Sequence, residues 1–499
     1  MTLRCKVLMP AMLLYLLFGG KSLYSQYLTG VTSGSYAGVS SVMVNPALMS
    51  NSRYYLDVNI MAAGSFFHNN FAYLSQDEYN LFRFLSPGYN YPLHEKEFGT
   101  GERAAYTVEN TTLKNMYLNG RILGPSAMLA VDRHTFAVFT AFRSVSSFRE
   151  VPYDVANFFY YSLDYDPQHG IEYDHNDPIK TASLSWSELG LSYAYMFNPR
   201  KQVYWSFGAS ARLLFGHAGY YVYLDQLRYY VPDDDNLYVN NVTGDASYAL
   251  PVDYSNNQFR SDKLFNGTGF GIDLGISYTF TERSHSKIKY KYLCQQRYYP
   301  YKFRIGVSLM DLGLISFSSQ ARHYSFEDNS GVWPQIDTLQ PYYNNLDYIS
   351  EDINMRICGS ADCALEAEHF VMYLPFMLGL QGDYHVRNAW YLSGSMHVPV
   401  NYSRSQVRPA GGMMLAPRME TETFEFGVPL TLHDFRHPMA GAYIRIYNFT
   451  IGTDNIAGFL NITHHYGFDL YFSLKINLLK DRCKKKGARF CLDDSRFYQ

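Results

Sequence analysis

Long stretches of the chain alternate apolar residues with small or polar ones, and this period of two constrains the fold more than any other feature. Near the C-terminus six apolar residues share one side of such a stretch: Phe468, Leu470, Phe472, Leu474, Ile476 and Leu478. Asp469, Ser473 and Lys475 fall on the opposite side. Because successive side chains of a β-strand point to opposite faces, the pattern predicts strands with one apolar and one polar face.

The length of these strands and the nature of their polar face favour a membrane barrel over a soluble sandwich, which also alternates. The strands run to about 10–16 residues, whereas strands of soluble proteins centre on about five or six. The polar face combines Gly, Ser and Ala with single charges, as expected of a crowded lumen rather than of a face exposed to water. The charges predicted to face the lumen are Asp273, Arg304, Glu425, Arg445 and Lys475.

The sequence therefore predicts an all-β, closed antiparallel transmembrane β-barrel of about 12 strands. An alternative of about 14 strands arises if a long loop or the region at Tyr447–Asn448 divides further. Long links at 67–111, 149–180, 225–265 and 317–368 alternate with short ones, which is typical of external loops and periplasmic turns. With an even number of strands, both termini should lie in the periplasm.

Composition agrees with this fold and excludes one class of partner. The chain has 47 Tyr and 34 Phe, and aromatic residues make up 17 % of it. Such an excess suits strands and the aromatic girdles of membrane barrels. The formal net charge of -3 offers no basic field for nucleic acid, which is not expected as a partner.

The N-terminus predicts an export signal over residues 1–25. Arg4 and Lys6 form a positive region, Val7 to Gly20 is apolar, and a cleavage site is expected at Ser25–Gln26. The rest divides into a plug segment at 26–53, the barrel at 54–478 and a basic periplasmic tail at 479–499. The predicted location is the outer membrane, with membrane lipid around the barrel.

The segment before the first strand is expected to fold into the lumen as a plug, although a flexible periplasmic leader would also fit. Its small-residue run ends in Asn45, Pro46 and Ala47. Asn45 can cap a short helix and Pro46 can occupy the first position of that helix.

The remaining cysteines and motifs predict no catalytic chemistry. Cys358 lies close to Cys363 in the sequence, and Cys483 lies close to Cys491. In an oxidising compartment we therefore expect two local disulfides, with Cys294 as a free thiol. No set of ligands at metal-binding spacing and no hydrolase motif occurs, so the sequence predicts no enzyme, metal or cofactor.

Several short motifs resemble known families of barrels. The leader ending in Asn45-Pro46-Ala47, followed by a long strand, is similar to long-chain fatty-acid transporter-like barrels and to type IX secretion shuttle barrels. A closer likeness is to an uncharacterised family of Bacteroidetes outer-membrane barrels, carried also by Gly271–Gly275, Ser308–Gly313 and Gly452–Asn455. The resemblance implies an outer-membrane barrel with an N-terminal plug, and it implies no activity.

Two functions follow as hypotheses. The first is a plugged barrel that binds or transports a small hydrophobic ligand. The alternative is a non-transporting envelope or secretion-associated barrel that docks a periplasmic or secretion-system protein through its long loops or basic tail.

Overall fold

The strands of the chain close into one ring. The computed structural model describes residues 32–81, 105–260, 262–284, 290–335 and 345–480, so the signal segment 1–25 lies outside the described residues. Most strand segments belong to a single antiparallel sheet, which closes because the first strand pairs with both the last strand and the second. The ring has 14 strands.

In chain order the barrel strands are β1 Tyr54–Asn69, β2 Lys114–Leu123 with Ser126–Val131, β3 His134–Val151, β4 Ile179–Phe197, β5 Val203–Val231, β6 Gly267–Phe280, β7 Phe303–Phe317, β8 Phe370–Tyr373 with Met377–Arg387, β9 Trp390–Pro399, β10 Gly412–Glu420, β11 Phe424–Gly427 with Leu430–His433, β12 His437–Ala440 with Ala442–Ile446, β13 Phe449–Thr453 and β14 Gly467–Leu479.

The expected number of about 12 strands is wrong, for two physical reasons. In β10, outward Met413 and Leu415 alternate with inward Met414 and Ala416, so both faces are apolar and the period of two disappears. The stretch that the sequence suggested as one strand at 439–453 turns at Tyr447, whose φ is 50°. It therefore forms β12 and β13, as in the 14-strand alternative.

The barrel carries apolar side chains outside and polar side chains inside. In β4, Leu191 is 64 % exposed, whereas Glu188 and Ser192 are buried. In β6, Phe270 is 55 % exposed and Asp273 only 2 %. A protein folded for water buries its apolar side chains, so this inverted arrangement fits a barrel surrounded by lipid.

The two ends of the barrel differ. One end, here the short-turn end, carries tight turns at Asp132, Asn388 and Tyr447, each with positive φ. The segment 281–302 joins β6 to β7 at this end and includes the 3-10 helix Leu293–Gln295. Tyr54 and Leu479 are paired here, so the barrel begins and ends on the same side.

The opposite, long-loop end extends well beyond the ring. β5 has 29 residues. Its C-terminal part pairs with the strand Leu237–Ala249, which in turn pairs with the strand Ala321–Trp333. The links predicted at 225–265 and 317–368 thus contain strands of their own. The smaller elements at this end are α1 Tyr153–Tyr161, α2 Leu346–Cys358, α3 Ile456–Phe459, the 3-10 helix Asp166–Gln168, and the strands Ala72–Tyr73, Tyr106–Thr107, Ile171–His175 and Leu365–Ala367.

No helix within the described ranges is both long enough and apolar enough to cross a membrane.

Candidate functional site

The segment Thr32–Ser52 precedes β1 and lies inside the ring. Every one of its residues is buried. It contains two 3-10 helices, Gly38–Met43 and Pro46–Asn51. The second begins as the sequence predicts, because the Asn45 side chain accepts from the Ala47 amide at 2.9 Å and Pro46 needs no amide partner.

Asn45 also joins the segment to the barrel wall. Its Nδ2 donates to Gln381 Oε1 in β8 at 2.9 Å and to the Val307 carbonyl in β7 at 3.2 Å. A longer contact of 3.4 Å reaches the Ile276 carbonyl in β6. One amide side chain therefore caps a helix and contacts three neighbouring strands.

Glycines in the wall make room for this contact. A Cβ atom on Gly208 would overlap the backbone between Pro46 and Ala47, and one on Gly275 would overlap the Asn45 side-chain oxygen. Pro46 and Ala47 can therefore approach the strands closely only where the wall lacks side chains.

Three of the charges predicted to face the lumen contact the segment, and one of them, the Arg445 guanidinium, lies 4.5 Å from the centre of the Tyr36 ring. Arg304 of β7 donates to the Ser33 carbonyl, and Lys475 of β14 donates to the Ala37 carbonyl. Lys475 Nζ also lies 3.5 Å from Asp57, whose carboxylate accepts from the Val39 amide at 2.7 Å. Arg304 and Lys475 are both buried, and they donate hydrogen bonds to backbone carbonyls that are shielded from water.

Glu425 and Arg445 belong to an ion-pair cluster near the short-turn end. Arg445 Nε lies 3.0 Å from Glu425 in the neighbouring strand. Arg418, fully buried, contacts Glu425 at 3.5 Å and Asp383 at 2.6 Å. Arg418 also pairs with Glu420, which accepts from the Ser35 amide of the segment at 3.3 Å.

Asp273 lies in a second ion-pair network, further from the short-turn end. Arg212 Nη2 is 2.7 Å from Asp273, and its Nη1 is 2.8 Å from Asp311 and 3.1 Å from Glu188. Arg143 makes a bidentate contact with Asp311, with one arm at 2.7 Å. All five side chains are buried, and they connect five consecutive strands of the ring, β3 to β7.

The residues that sequence reasoning missed are the partners of the predicted charges: Arg143, Glu188, Arg212, Asp311, Asp383, Arg418 and Glu420. For Arg143, Glu188, Arg212 and Asp383 the inward position in an alternating strand was the available signal. Asp311 breaks the alternation of β7 by following inward Met310, and Arg418 and Glu420 lie in β10, where both faces are apolar. Their pairing required the strand register, because partners such as Arg143 and Asp311 are 168 residues apart.

An apolar layer lies on the long-loop side of the second network. Its buried side chains include Trp186, Leu214, Ile315, Phe317, Phe370, Met372, Leu374 and Val407. The rings of Phe317 and Phe370 stack with centroids 5.2 Å apart. Trp186 links the two layers, since its Nε1 donates to Glu188 at 3.1 Å.

The link at 400–411 covers this layer from the long-loop end. Buried Gln406 fixes it, because its Nε2 donates to the carbonyls of Leu374 at 3.2 Å and Val400 at 3.0 Å. The Tyr402 amide donates to the Gln406 oxygen at 3.0 Å. The segment Thr32–Ser52 and this link therefore occupy opposite ends of the interior.

The cysteines follow the prediction in one place and depart from it in another. Cys358 and Cys363 are disulfide-bonded, with Cα atoms 6.2 Å apart. The expectation of a free thiol at Cys294 is wrong, because this residue is also in a disulfide. Cys483 and Cys491 lie outside the described residues, as does most of the basic tail.

Within the part of the chain that the structure describes, no group of three or more His, Cys, Asp or Glu side chains is arranged to hold a metal ion.

Comparisons with solved structures give remote likenesses to outer-membrane proteins. The chain is similar to the Pseudomonas putida toluene transporter TodX at 9 % identity, covering 91 % of this chain and 97 % of that one, with a TM-score of 0.30. A TodX mutant described as a monoaromatic hydrocarbon channel gives a TM-score of 0.40 at 9 % identity, with coverages of 89 % and 95 %. A Pseudomonas aeruginosa FadL homologue gives 0.21 at 9 % identity, with coverages of 91 % and 96 %. At these values the likeness carries no information about a substrate.

No protein with a curated function matches the sequence. A family model does match, over residues 46–454, which is most of the chain and nearly the whole ring from the Asn45-Pro46-Ala47 turn onward. The chain therefore belongs to the family of unknown function DUF5723.

Proposed function

We propose that this protein is an outer-membrane β-barrel in which Thr32–Ser52 is a plug, and that it binds or transports a small hydrophobic ligand. The observation that carries the proposal is the complete burial of this segment inside a closed ring, where polar side chains of at least five strands contact it. A loose periplasmic leader would leave the interior accessible.

The outer surface supports a membrane location. Apolar side chains are exposed around the ring, among them Leu191, Phe270 and Leu415. Trp205 and Trp390 are exposed near the short-turn end, where an interfacial aromatic belt would lie. In an outer-membrane barrel short turns face the periplasm, so this orientation puts β1 and the end of β14 on the periplasmic side.

The ligand class follows from the apolar layer. Phe317, Phe370, Met372 and Leu374 are buried against one another directly beneath the 400–411 link, so a ligand would meet this aromatic and flexible aliphatic surface only once the interior opens. Burying an apolar group against such side chains stabilises a complex by about 25 cal/mol per Å². The layer offers few hydrogen-bonding groups to a sugar or a peptide, so a small hydrophobic molecule fits it best.

The plug contributes only uncharged groups to its contacts with the wall, even where the wall residue is charged, as in the bonds to Arg304, Lys475, Asp57 and Glu420. Asn45 is held by hydrogen bonds between uncharged groups, each worth about 1 kcal/mol net. Separating Arg143 from Asp311 would leave buried charges unpaired, which costs about 3–5 kcal/mol. We therefore place the opening step at the plug and keep the second ion-pair network as a fixed part of the wall.

The test compares the full chain with a variant lacking Gly34–Leu48, both reconstituted in liposomes. The apolar fluorescent probe phenylnaphthylamine should enter deletion liposomes at least about tenfold faster, since removing the plug removes the obstruction. Gel mobility before and after heating checks that the deleted barrel has folded. A folded deletion variant that passes the probe no faster than the full chain would contradict transport through this route.

The platform at the long-loop end favours a second candidate, the docking of a protein partner. Strands Leu237–Ala249 and Ala321–Trp333 extend the sheet beyond the ring, and α2 packs beside them. At about 3.3 Å per residue, the 29 residues of β5 far exceed one membrane crossing. A partner lost from native-membrane purifications when 317–368 is trimmed, but retained when Gly34–Leu48 is deleted, would support docking.

A further inference from the structure

A cavity of about 290 Å³ that is rich in cationic side chains lies at the long-loop end, beside the apolar layer. Its walls are the long-loop ends of β3, β4 and β5, together with the 400–411 link. Four cations line it, namely Arg149, Lys180, Arg404 and Arg408, together with a single carboxylate, Glu150. Hydroxyl groups of Ser147 and Thr181 complete one side.

The carboxylates near this cavity leave part of its positive charge unmatched. Arg404 is well paired, at 3.2 Å from Asp225 and 3.3 Å from Asp245. Glu150 is shared at 3.9 Å by Arg149 and Lys180, which is the outer limit of an ion pair. Arg408 has no carboxylate within 4 Å among the residues that the structure describes.

Two guanidinium groups also keep donors unused. The Nε atoms of Arg149 and Arg408 are both buried and have no hydrogen-bond partner among the described residues. Burial lowers the pKa of Arg408, and the charge of Arg149 lowers it further, while Glu150 and Asp434 act weakly in the opposite direction. Buried donors without partners destabilise a protein, and a ligand with oxygen acceptors would remove this cost.

Most of the cationic side chains are held in place before any ligand arrives. The Tyr223 ring lies 4.6 Å from the Arg404 guanidinium and 5.5 Å from Lys180 Nζ. Arg149 lies over the ring of Tyr117 at 5.7 Å. Arg408 is carried by the link that Gln406 anchors. Such preorganisation lowers the entropy lost on binding.

We propose that this cavity binds a compact polar oxyanion, that is, a small solute presenting a phosphate, sulfate or carboxylate group. Planar guanidinium groups match the paired oxygens of these anions, and charge-assisted hydrogen bonds are the strongest that a side chain makes. The volume lies at the lower end of the range for small-molecule sites, about 300–1,000 Å³. Four cationic side chains set the charge of the lining, so this ligand differs from the uncharged, hydrophobic one proposed for the apolar layer.

The experiment is titration calorimetry on the purified full chain in a neutral detergent, with inorganic phosphate, sulfate, citrate and decanoate as separate probes. We expect saturable binding of at least one of the three polar anions. Arg408→Gln and Lys180→Gln should each weaken it at least about tenfold, since each removes a charge that contacts the ligand. Lys180 is partly exposed, so its variant keeps the test decisive if Arg408→Gln fails to fold.

The matched control is Arg228→Gln, which removes a partly exposed arginine paired with Asp174 outside the cavity and should leave the affinity unchanged. The proposal is overturned if no polar anion binds saturably below about 20 mM. It is also overturned if the folded variants bind like the parent chain, or if decanoate alone binds. None of these results depends on probe uptake by the plug deletion, so the two proposals fail independently.

Discussion

Asn45 of the plug and Gln381 of β8 share a 2.9 Å hydrogen bond across 336 residues of sequence. Replacing Asn45 with Ala removes this bond, the contact to β7 and the cap of the helix Pro46–Asn51. We expect the free energy of unfolding of the plug to fall by about 1–3 kcal/mol. Hydrogen exchange of the Ala47 and Leu48 amides should accelerate accordingly. Asn256→Ala, in an exposed loop, is the control, and equal protection in both variants would contradict the role of Asn45.

The close approach of the plug to glycines gives a second prediction. Gly208→Ala and Gly275→Ala should displace the segment at Pro46 and Asn45, because the new Cβ atoms would overlap it. A cysteine introduced at Ser50 should then react with a water-soluble maleimide. Gly382→Ala is the matched control, since a Cβ there meets nothing within 4 Å. Labelling that is equally slow in all three variants would show that the segment tolerates the added methyl groups.

The second ion-pair network should stabilise the barrel as a unit. Asp311→Asn keeps the side-chain shape and suits the positive φ of 63°, but it removes the charge between Arg143 and Arg212. We expect a loss of about 3–5 kcal/mol in the free energy of unfolding, measured by urea titration in liposomes. Arg322→Gln disrupts a pair with exposed Glu368 and should change stability by about 0.5 kcal/mol or less. A similar effect for both would refute the assignment.

The side chain of Gln406 should hold the 400–411 link in its observed conformation. In Gln406→Ala the amide of Tyr402 loses its acceptor and the carbonyls of Leu374 and Val400 lose their donor. We predict faster hydrogen exchange at Tyr402 with unchanged exchange in β6, because the loss is local. Gln226→Ala, which loses one long, exposed contact of 3.4 Å, serves as the comparison. Protection of Tyr402 that survives the substitution would mean that packing alone holds the link.

The sequence predicted the barrel wherever the two faces of a strand differ chemically, as in β6 and β14. It failed in β10, where Met and Leu outside oppose Met and Ala inside. The cap at Asn45 was predictable because it depends on adjacent residues. The partners of Asp273 and Glu425 were not, since they depend on the register of neighbouring strands. The disulfide at Cys294 was missed because no other cysteine lies near this residue in the sequence.

The distribution of plug contacts also bears on how the protein is made. The segment precedes the ring in the sequence, yet its binding surface includes Gly208 in β5, Gln381 in β8, Glu420 in β10 and Lys475 in β14. That surface does not exist until the last strand has paired with the first. The leading segment therefore has no complete binding surface while the ring forms, and its docking marks the end of folding.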